Sequence, residues 1–154
     1  MNVEFINPFL KSLLNFMETM GGVTPEVGKP FLKKQDTSFG DVSGMIGMAG
    51  DQTKGSLAIT FSKGAIFQIA ENMFGEPATE LDASISDLVG EITNIVCGGA
   101  KAELAEKGYK FALAIPTTIT GINHKITHIT KGPIIIIPFT LERGGVIIEV
   151  CFEK

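Results

Sequence analysis

Apolar residues recur with a helical period between residues 83 and 107. At about 100° per residue, six of them fall within an arc of roughly 120°. These are Ile85, Leu88, Val89, Ile92, Ile95 and Val96. The pattern predicts a long helix over residues 83–107 that packs one face against a core, with Gly108 just beyond its end.

Two further helices are predicted from their caps and periodicity. One spans residues 8–20, because Asn7 suits the N-cap position and Pro8 has the backbone angle favoured at the first helical position. The other spans residues 63–74, with Ser62 as its N-cap.

Six strands are predicted from apolar and β-branched runs that lie between turn residues. Three precede the 63–74 helix and are expected to form a meander: residues 26–34, 40–48 and 55–61. Three follow the long helix: residues 109–119, 133–141 and 145–152.

The predicted elements repeat in order along the chain. Residues 8–61 and 83–152 each contain a helix followed by three strands, which indicates a duplicated αβββ unit. Short connections favour antiparallel pairing, and the apolar helix faces need a sheet to cover. We therefore expect an α+β fold with long helices packed on an antiparallel sheet, within one domain over residues 1–154.

Composition restricts the partner class. The 154 residues carry a net charge of −4, and no long basic run is present, which argues against a nucleic acid or an anionic membrane as partner. The apolar run at residues 133–139 is far shorter than the roughly 20 residues of a membrane-spanning helix. The first residues do not follow a secretory signal pattern, so we expect a cytoplasmic protein with no membrane segment.

Several patterns that imitate known sites are discounted. Residues 50–56, GDQTKGS, do not have P-loop order because Lys54 precedes the second glycine. His124 and His128 lie in a stretch rich in β-branched residues, and we expect a surface role for both. Cys97 and Cys151 lie far apart without metal-ligand spacing, which predicts buried free thiols.

A polar stripe follows the outer face of the long helix. It consists of Asp87, Glu91, Asn94, Gly98 and Lys101. Such a stripe can simply be a solvated face. However, Gly90, Gly98 and Gly99 each cost about 0.8 to 1 kcal/mol relative to alanine in a helix. Their presence favours the close approach of another backbone, either the protein's own sheet or a partner.

The stripe carries a family resemblance. Asp87-x3-Glu91-x2-Asn94, followed by Pro116 in FALAIPTTITG, resembles the signature of the CheC, CheX and FliY family of bacterial chemotaxis phosphatases. The opening NPFLKSLLNFMETM, the VGKPFLK segment and the pair SGMIGM and GSLAITF resemble CheX members, so the likeness covers nearly the whole chain. In this chain 21 residues separate Asn94 from Pro116, one fewer than in the family pattern.

The resemblance implies a function. It implies hydrolysis of the aspartyl phosphate of a CheY-type response regulator, with Mg²⁺ bound by the regulator and no cofactor of the chain's own. Asn94 is then expected to orient the attacking water and Glu91 to pair with a regulator lysine, with Asp87 and Pro116 in support. It further implies a homodimer joined through the sheet.

One further expectation and two alternatives follow from the same residues. The first helix has Ser12 and Asn15 where some family members carry a second acid and amide, so we expect one active site per chain. A domain with this fold that binds a receiver or a flagellar protein without hydrolysis is the main alternative to an enzyme. A small-ligand sensor that uses a cleft between sheet and helix is a further alternative, for which the sequence offers no dedicated motif.

Overall fold

A computed structural model describes residues 3–34 and 40–153. Within these residues it has three helices: α1 (Val3–Thr19), α2 (Lys63–Phe74) and α3 (Ala83–Glu106). The same residues form eight strands: β1 (Glu26–Val27), β2 (Phe31–Leu32), β3 (Val42–Gly50), β4 (Lys54–Phe61), β5 (Phe111–Leu113), β6 (Thr117–Thr120), β7 (Ile134–Leu141) and β8 (Gly144–Phe152).

All described strands join one antiparallel sheet in the order β1-β7-β8-β4-β3-β5, with β2 also on β7 and β6 also on β3. The central strands β4 and β8 pair along their length, with Ile59 opposite Ile148 near the middle. Helix α3 packs on β3 and also against α1. Helix α2 packs on β8. The predicted α+β fold with helices on an antiparallel sheet is confirmed.

The predicted meander of the first three strands is wrong. Strands β1 and β2 pair with β7, whereas β5 and β6 pair with β3. Each αβββ unit therefore gives its first strand to the other unit. The two units are joined by this exchange as well as by the β4–β8 pair.

The predicted strands over residues 26–34 and 109–119 are each divided in two. The break is three residues long in both cases, and it ends at Pro30 in the first unit and at Pro116 in the second. Proline has no backbone N–H to give to a strand ladder, so it interrupts the pairing. Pro116 thus occupies the same place in its unit as Pro30 does in the other.

Helix α1 begins upstream of the predicted N-cap. It includes Val3 and continues through Pro8, so the prediction that the helix starts at Pro8 is wrong. Ile6 and Phe9 are buried, and the Phe5 ring centroid lies 4.7 Å from that of Phe152. Burial of one such side chain stabilises by about 1.5 to 3 kcal/mol. Together they offset the roughly 3 kcal/mol that an internal proline costs.

The ends of the other two helices agree with the predictions. The Ser62 side chain accepts a hydrogen bond from the backbone N–H of Ala65, and Gly75 ends α2 in the left-handed conformation with φ of 75°. Helix α3 spans nearly the predicted residues, with Gly108 at a φ of 94° just beyond it. The caps therefore set the bounds of both helices.

The face of the sheet opposite the helices is covered by the segment of residues 121–133. His124 Nε2 lies 2.6 Å from Ser43 Oγ, and His128 Nδ1 lies 2.7 Å from Ser56 Oγ. The His128 side chain is 1% exposed. The expectation that both histidines have a surface role is wrong, because their rings anchor this segment to strands β3 and β4.

A buried ion pair lies beside His128. The Lys33 ammonium donates to Glu149 Oε1 at 2.9 Å, and His128 Nε2 lies 3.2 Å from the same oxygen. Burial raises the pKa of Glu149, but the hydrogen bonds from His128 and Lys33 outweigh it and hold that pKa below its usual value of 4.5. The carboxylate is therefore charged at neutral pH.

Both cysteines are buried free thiols, as predicted. Burial raises the pKa of Cys97 to about 12, which leaves its thiol protonated at neutral pH.

Among the described residues, none of the helices combines the length and the apolar character that crossing a membrane requires.

Candidate functional site

The outer face of α3 carries the predicted polar stripe. Asp87, Glu91 and Asn94 are exposed, as is Lys101, and Gly98 is partly exposed. The opposite face is buried against the core, with Val89, Ile92 and Val96 fully inaccessible among other residues. The structure thus brings the acid, the amide and Asp87 to one accessible face, as the helical period predicts.

These polar side chains are not used within the fold. Across residues 3–34 and 40–153, neither Glu91 nor Asn94 makes a hydrogen bond or an ion pair through its side chain. By contrast, other exposed charges of the molecule do pair, such as Lys11 with Glu103 at 3.2 Å. Glu91 and Asn94 lie one helical turn apart, available to a partner.

Strand β6 borders the stripe on one side. Thr120 Oγ1 lies 3.4 Å from Ser86 Oγ of α3, and a Cβ placed on Gly90 would lie 3.5 Å from Thr118 Cγ2. Pro116 lies immediately before this strand, not on the helix face. Sequence reasoning missed this border of threonines, although the TTIT run directly after Pro116 marks it.

The three glycines of α3 have different surroundings. A Cβ on Gly99 would overlap Ser12 Oγ of α1, so this glycine serves the contact between helices. Gly90 lies against β6, as described above. A Cβ on Gly98 would meet no described atom within 4 Å. Close approach within the fold therefore accounts for Gly99, whereas a Cβ on Gly90 would make only an ordinary van der Waals contact, and Gly98 lowers the surface beside Asn94.

The corresponding stretch of α1 lacks this arrangement. Asn15 is exposed, but Ser12 contacts Gly99 of α3 and is partly buried. An acid at residue 12 would therefore have to enter the contact between the helices. The place in α1 that corresponds to Glu91 and Asn94 of α3 therefore has the amide Asn15 but Ser12 instead of an acid.

The chemistry available at the stripe is that of a carboxylate and a carboxamide. The Asn94 side chain can accept through its carbonyl oxygen and donate through its amide, and Glu91 can pair with a cation. The described residues contain no group of three or more His, Cys, Asp or Glu side chains placed to hold a metal ion. The arrangement suits the positioning of a small molecule on a docked partner.

A groove of about 780 Å³ lies elsewhere, on the sheet face opposite the helices. Met45, Ala49, Ala112 and Thr117 line its floor, and residues of the 121–133 segment, including Ile129, form one wall. The small-ligand alternative placed its site between sheet and helix. This groove is on the other face and shares no residue with the polar stripe.

Comparison with known proteins gives the family. A model of the family described as chemotaxis phosphatase CheX matches residues 42–140. A search among curated proteins found no match. A CheC-like superfamily protein from Shewanella sp. PV-4 is 52% identical over 100% of both chains, with a TM-score of 0.96.

Two further solved structures are similar over almost their whole length. Chemotaxis protein CheX from Vibrio vulnificus is 49% identical, covering 97% of this chain and 99% of its own, with a TM-score of 0.94. The CheX-CheY-BeF3-Mg²⁺ complex from Borrelia burgdorferi is 26% identical, covering 99% and 100%, with a TM-score of 0.83. The matched family model spans most of the chain and these relatives cover it end to end, so this protein belongs to the CheX family of chemotaxis phosphatases.

Proposed function

We propose that this protein dephosphorylates the aspartyl phosphate of a CheY-type response regulator. The observation that carries the proposal is the exposed pair Glu91 and Asn94, one turn apart on α3 and unused by the fold. Membership of a family described as a chemotaxis phosphatase supports it. The relative from Borrelia burgdorferi, which was solved with CheY, BeF3 and Mg²⁺, supports the choice of substrate. We propose a cytoplasmic location for the protein, as the sequence analysis expects, because that is where it would meet such a regulator.

The substrate leaves one main task to the catalyst. An acyl phosphate already has a good leaving group, and the Mg²⁺ bound by the regulator neutralises charge on the phosphoryl oxygens. What remains is to hold a water molecule in line with the phosphorus. The chain needs no covalent nucleophile for that step.

Asn94 is the residue that we assign to the water. Its carbonyl oxygen accepts a hydrogen bond from the water and its amide donates to a neighbouring acceptor, which fixes the direction of attack. A carboxamide is neutral, so it does not repel the phosphoryl oxygens as a carboxylate would. The exposed position of Asn94 lets it enter the active site of a docked regulator.

Glu91 is assigned to docking. One turn before Asn94, its carboxylate can pair with the regulator lysine that otherwise contacts the phosphate. Asp87 extends the negative charge by a further turn and supports the same contact. Pro116 acts indirectly, because it sets the start of β6, which borders this face.

The required rate enhancement is modest. A 100-fold acceleration corresponds to about 2.7 kcal/mol of transition-state stabilisation. Well-oriented reactants can gain about 7 to 11 kcal/mol from positioning alone. Orientation of one water is therefore sufficient.

The decisive experiment measures phosphate release from a phosphorylated CheY-type receiver with Mg²⁺ and catalytic amounts of this protein. We expect Asn94→Ala to lower kcat by at least 10-fold, about 1.4 kcal/mol, because the water loses its orienting group. Asn15→Ala is the matched control, an exposed asparagine on α1 with Ser12 in place of an acid three residues before it, and it should keep wild-type turnover. Equal release by wild type and Asn94→Ala would overturn the mechanism.

The same assay separates docking from chemistry. Glu91→Ala should raise KM by about 10-fold and retain turnover at saturating receiver, because a rim charge contributes mainly to association. Glu106→Ala, which removes an exposed acid from the last turn of α3, is the control. A receiver that binds wild type without any acceleration of phosphate release would instead favour the non-catalytic binding domain.

We also propose a homodimer joined through the sheet, as the resemblance implies. The apolar strands β7 and β8 both have neighbours on each side, so neither leaves an open edge for this contact. Support now comes from the outer strands β1 and β2, where Val27, Phe31 and Leu32 are 41 to 53% exposed. Sedimentation equilibrium gives the mass directly, and a monomer would exclude this proposal.

A further inference from the structure

We infer that Thr93 and Gly44 form a positioning pair that seats the catalytic turn of α3 on strand β3. The inference rests on the proposed function, since it assigns the pair a role in the reaction of Glu91 and Asn94. The two residues contribute no atom to the exposed stripe. They act from the buried side of α3, which faces the sheet.

Thr93 lies between the two site residues, two positions after Glu91 and one before Asn94. Its side chain is 0% exposed and points into the fold. Thr93 Oγ1 donates to the backbone oxygen of Val89 at 2.7 Å, so the hydroxyl is satisfied within the helix. A bond of this kind to the carbonyl four residues earlier often bends a helix locally. This side chain is thus tied to the backbone of the turn that bears Glu91 and Asn94.

Gly44 receives Thr93 on the sheet side. It lies inside β3, opposite Ile59 of β4 on one side and opposite Thr118 of β6 on the other. A Cβ at residue 44 would overlap Thr93 Oγ1 and would lie 3.1 Å from Thr93 Cβ and 3.3 Å from Val89 Cγ1. Since ladders on both sides hold β3 in place, the helix would have to move instead.

Movement of the helix there changes the site in two ways. It alters the turn between Glu91 and Asn94, because Thr93 belongs to that turn. It also shifts both residues relative to β6, which meets α3 at Gly90 and Ser86. A misplacement of about 1 Å can cost on the order of 100-fold in rate. The fit of Thr93 on Gly44 thus has a catalytic consequence beyond core packing.

The test begins with Gly44→Ala in the receiver assay. We expect kcat to fall by about 10-fold or more while KM changes by less than about threefold, because Asn94 is misaligned but Glu91 still docks. Gly47→Ala is the matched control on the same strand, where a Cβ would meet the Ala114 Cβ at 4.0 Å on the opposite face. It should leave both parameters unchanged.

A rescue distinguishes positioning from general damage. Thr93→Ala removes the atom that overlaps with a residue-44 Cβ, and alone it leaves a gap over Gly44 that also lowers kcat. In the double variant the new Cβ occupies that gap, although it still lies 3.1 Å from the Cβ of residue 93, so kcat should recover in part, to a value above that of either single variant. Melting temperatures measured in parallel report folding.

The outcomes separate the two proposals. Wild-type turnover in Gly44→Ala would overturn the positioning pair. So would losses in kcat that simply multiply in the double variant. In either case a lower kcat in Asn94→Ala would still support the proposed function. If Gly44→Ala does not fold, Thr93→Ala and the double variant decide by the same criterion. If wild type and Asn94→Ala release phosphate equally, the proposed mechanism fails first, and the pair then has no catalytic role.

Discussion

Gly98 is the residue at which stability and docking make opposite demands. Its missing Cβ faces open space beside Asn94, so nothing within the described fold requires glycine there. Glycine in a helix costs about 0.8 to 1 kcal/mol relative to alanine. Retaining it is understandable if a partner surface comes close to this part of α3.

Gly98→Ala should therefore stabilise the protein and weaken its interaction with the receiver. We expect the free energy of unfolding to rise by about 0.8 to 1 kcal/mol, because the exposed helix gains a better helix former. KM for the phosphorylated receiver should rise severalfold. Chemical denaturation and the phosphate-release assay measure the two effects.

Gly99→Ala provides the contrast: its Cβ would overlap Ser12 Oγ and lie 3.3 Å from Ser12 Cβ, which offsets the gain in helix propensity, so the free energy of unfolding should rise by less than in Gly98→Ala. A Gly98→Ala variant with unchanged KM would mean that the receiver does not approach this part of the helix.

Residue-level features of the site differ in how readily sequence reveals them. Asp87, Glu91 and Asn94 could be placed on one exposed face because a period of 3.6 residues decides which side of a helix a residue takes. The contact of Thr93 with Gly44 could not be predicted from the sequence. A threonine at the border of an apolar arc and a glycine in a distant strand carry no shared pattern, and their contact exists only once α3 lies on β3.

At the scale of elements, the segment of residues 121–133 departs most from expectation. Its β-branched residues and two histidines suggested an exposed loop, yet it covers the sheet and buries Ile126. The signal was hidden because the polar partners of the histidines, Ser43, Ser56 and Glu149, lie on three different strands. Alternation along a strand shows that such residues share a face but not what covers that face.

The ion pair under this segment makes stability depend on pH. The pKa of Glu149 is lowered in the folded state, so the charged carboxylate contributes stability above its unfolded value of about 4.5. That contribution is lost as the pH falls through the lower folded pKa. Acid should therefore loosen the contact between the 121–133 segment and the sheet.

Glu149→Gln should remove this dependence. At pH 7 we expect the free energy of unfolding to fall by about 3 to 5 kcal/mol, because the buried Lys33 ammonium loses its carboxylate. The difference from wild type should shrink as the pH drops below 4.5. Urea unfolding between pH 3 and pH 7, about the range in which carboxylates titrate, measures it.

Glu142→Gln, which replaces an exposed acid in the turn between β7 and β8, is the control. Its free energy of unfolding should remain close to that of wild type at every pH. A difference between wild type and Glu149→Gln that stayed constant into acid would contradict the assignment.

At the scale of the whole molecule, the duplication was visible in the sequence and the exchange of strands was not. Helix and strand order repeats, and the breaks at Pro30 and Pro116 repeat with it. Hydrophobic alternation specifies which face of a strand is buried, but not which strand lies beside it. The long strands β3, β4, β7 and β8 were predicted well because each is rich in apolar residues and lies next to a short turn.

The exchange predicts that neither half folds alone. Residues 1–81 contain β3 but not α3, which covers it, and residues 82–154 contain β7 but not β1 and β2, which flank it. Each half would expose apolar surface that the other half buries, so we expect neither to show cooperative thermal unfolding by circular dichroism. Mixing the two should restore a cooperative transition, because the break falls in the exposed connector between α2 and α3. The intact chain cleaved within that connector is the control. Cooperative unfolding of residues 1–81 by themselves would show that the borrowed strands and helix are dispensable for folding.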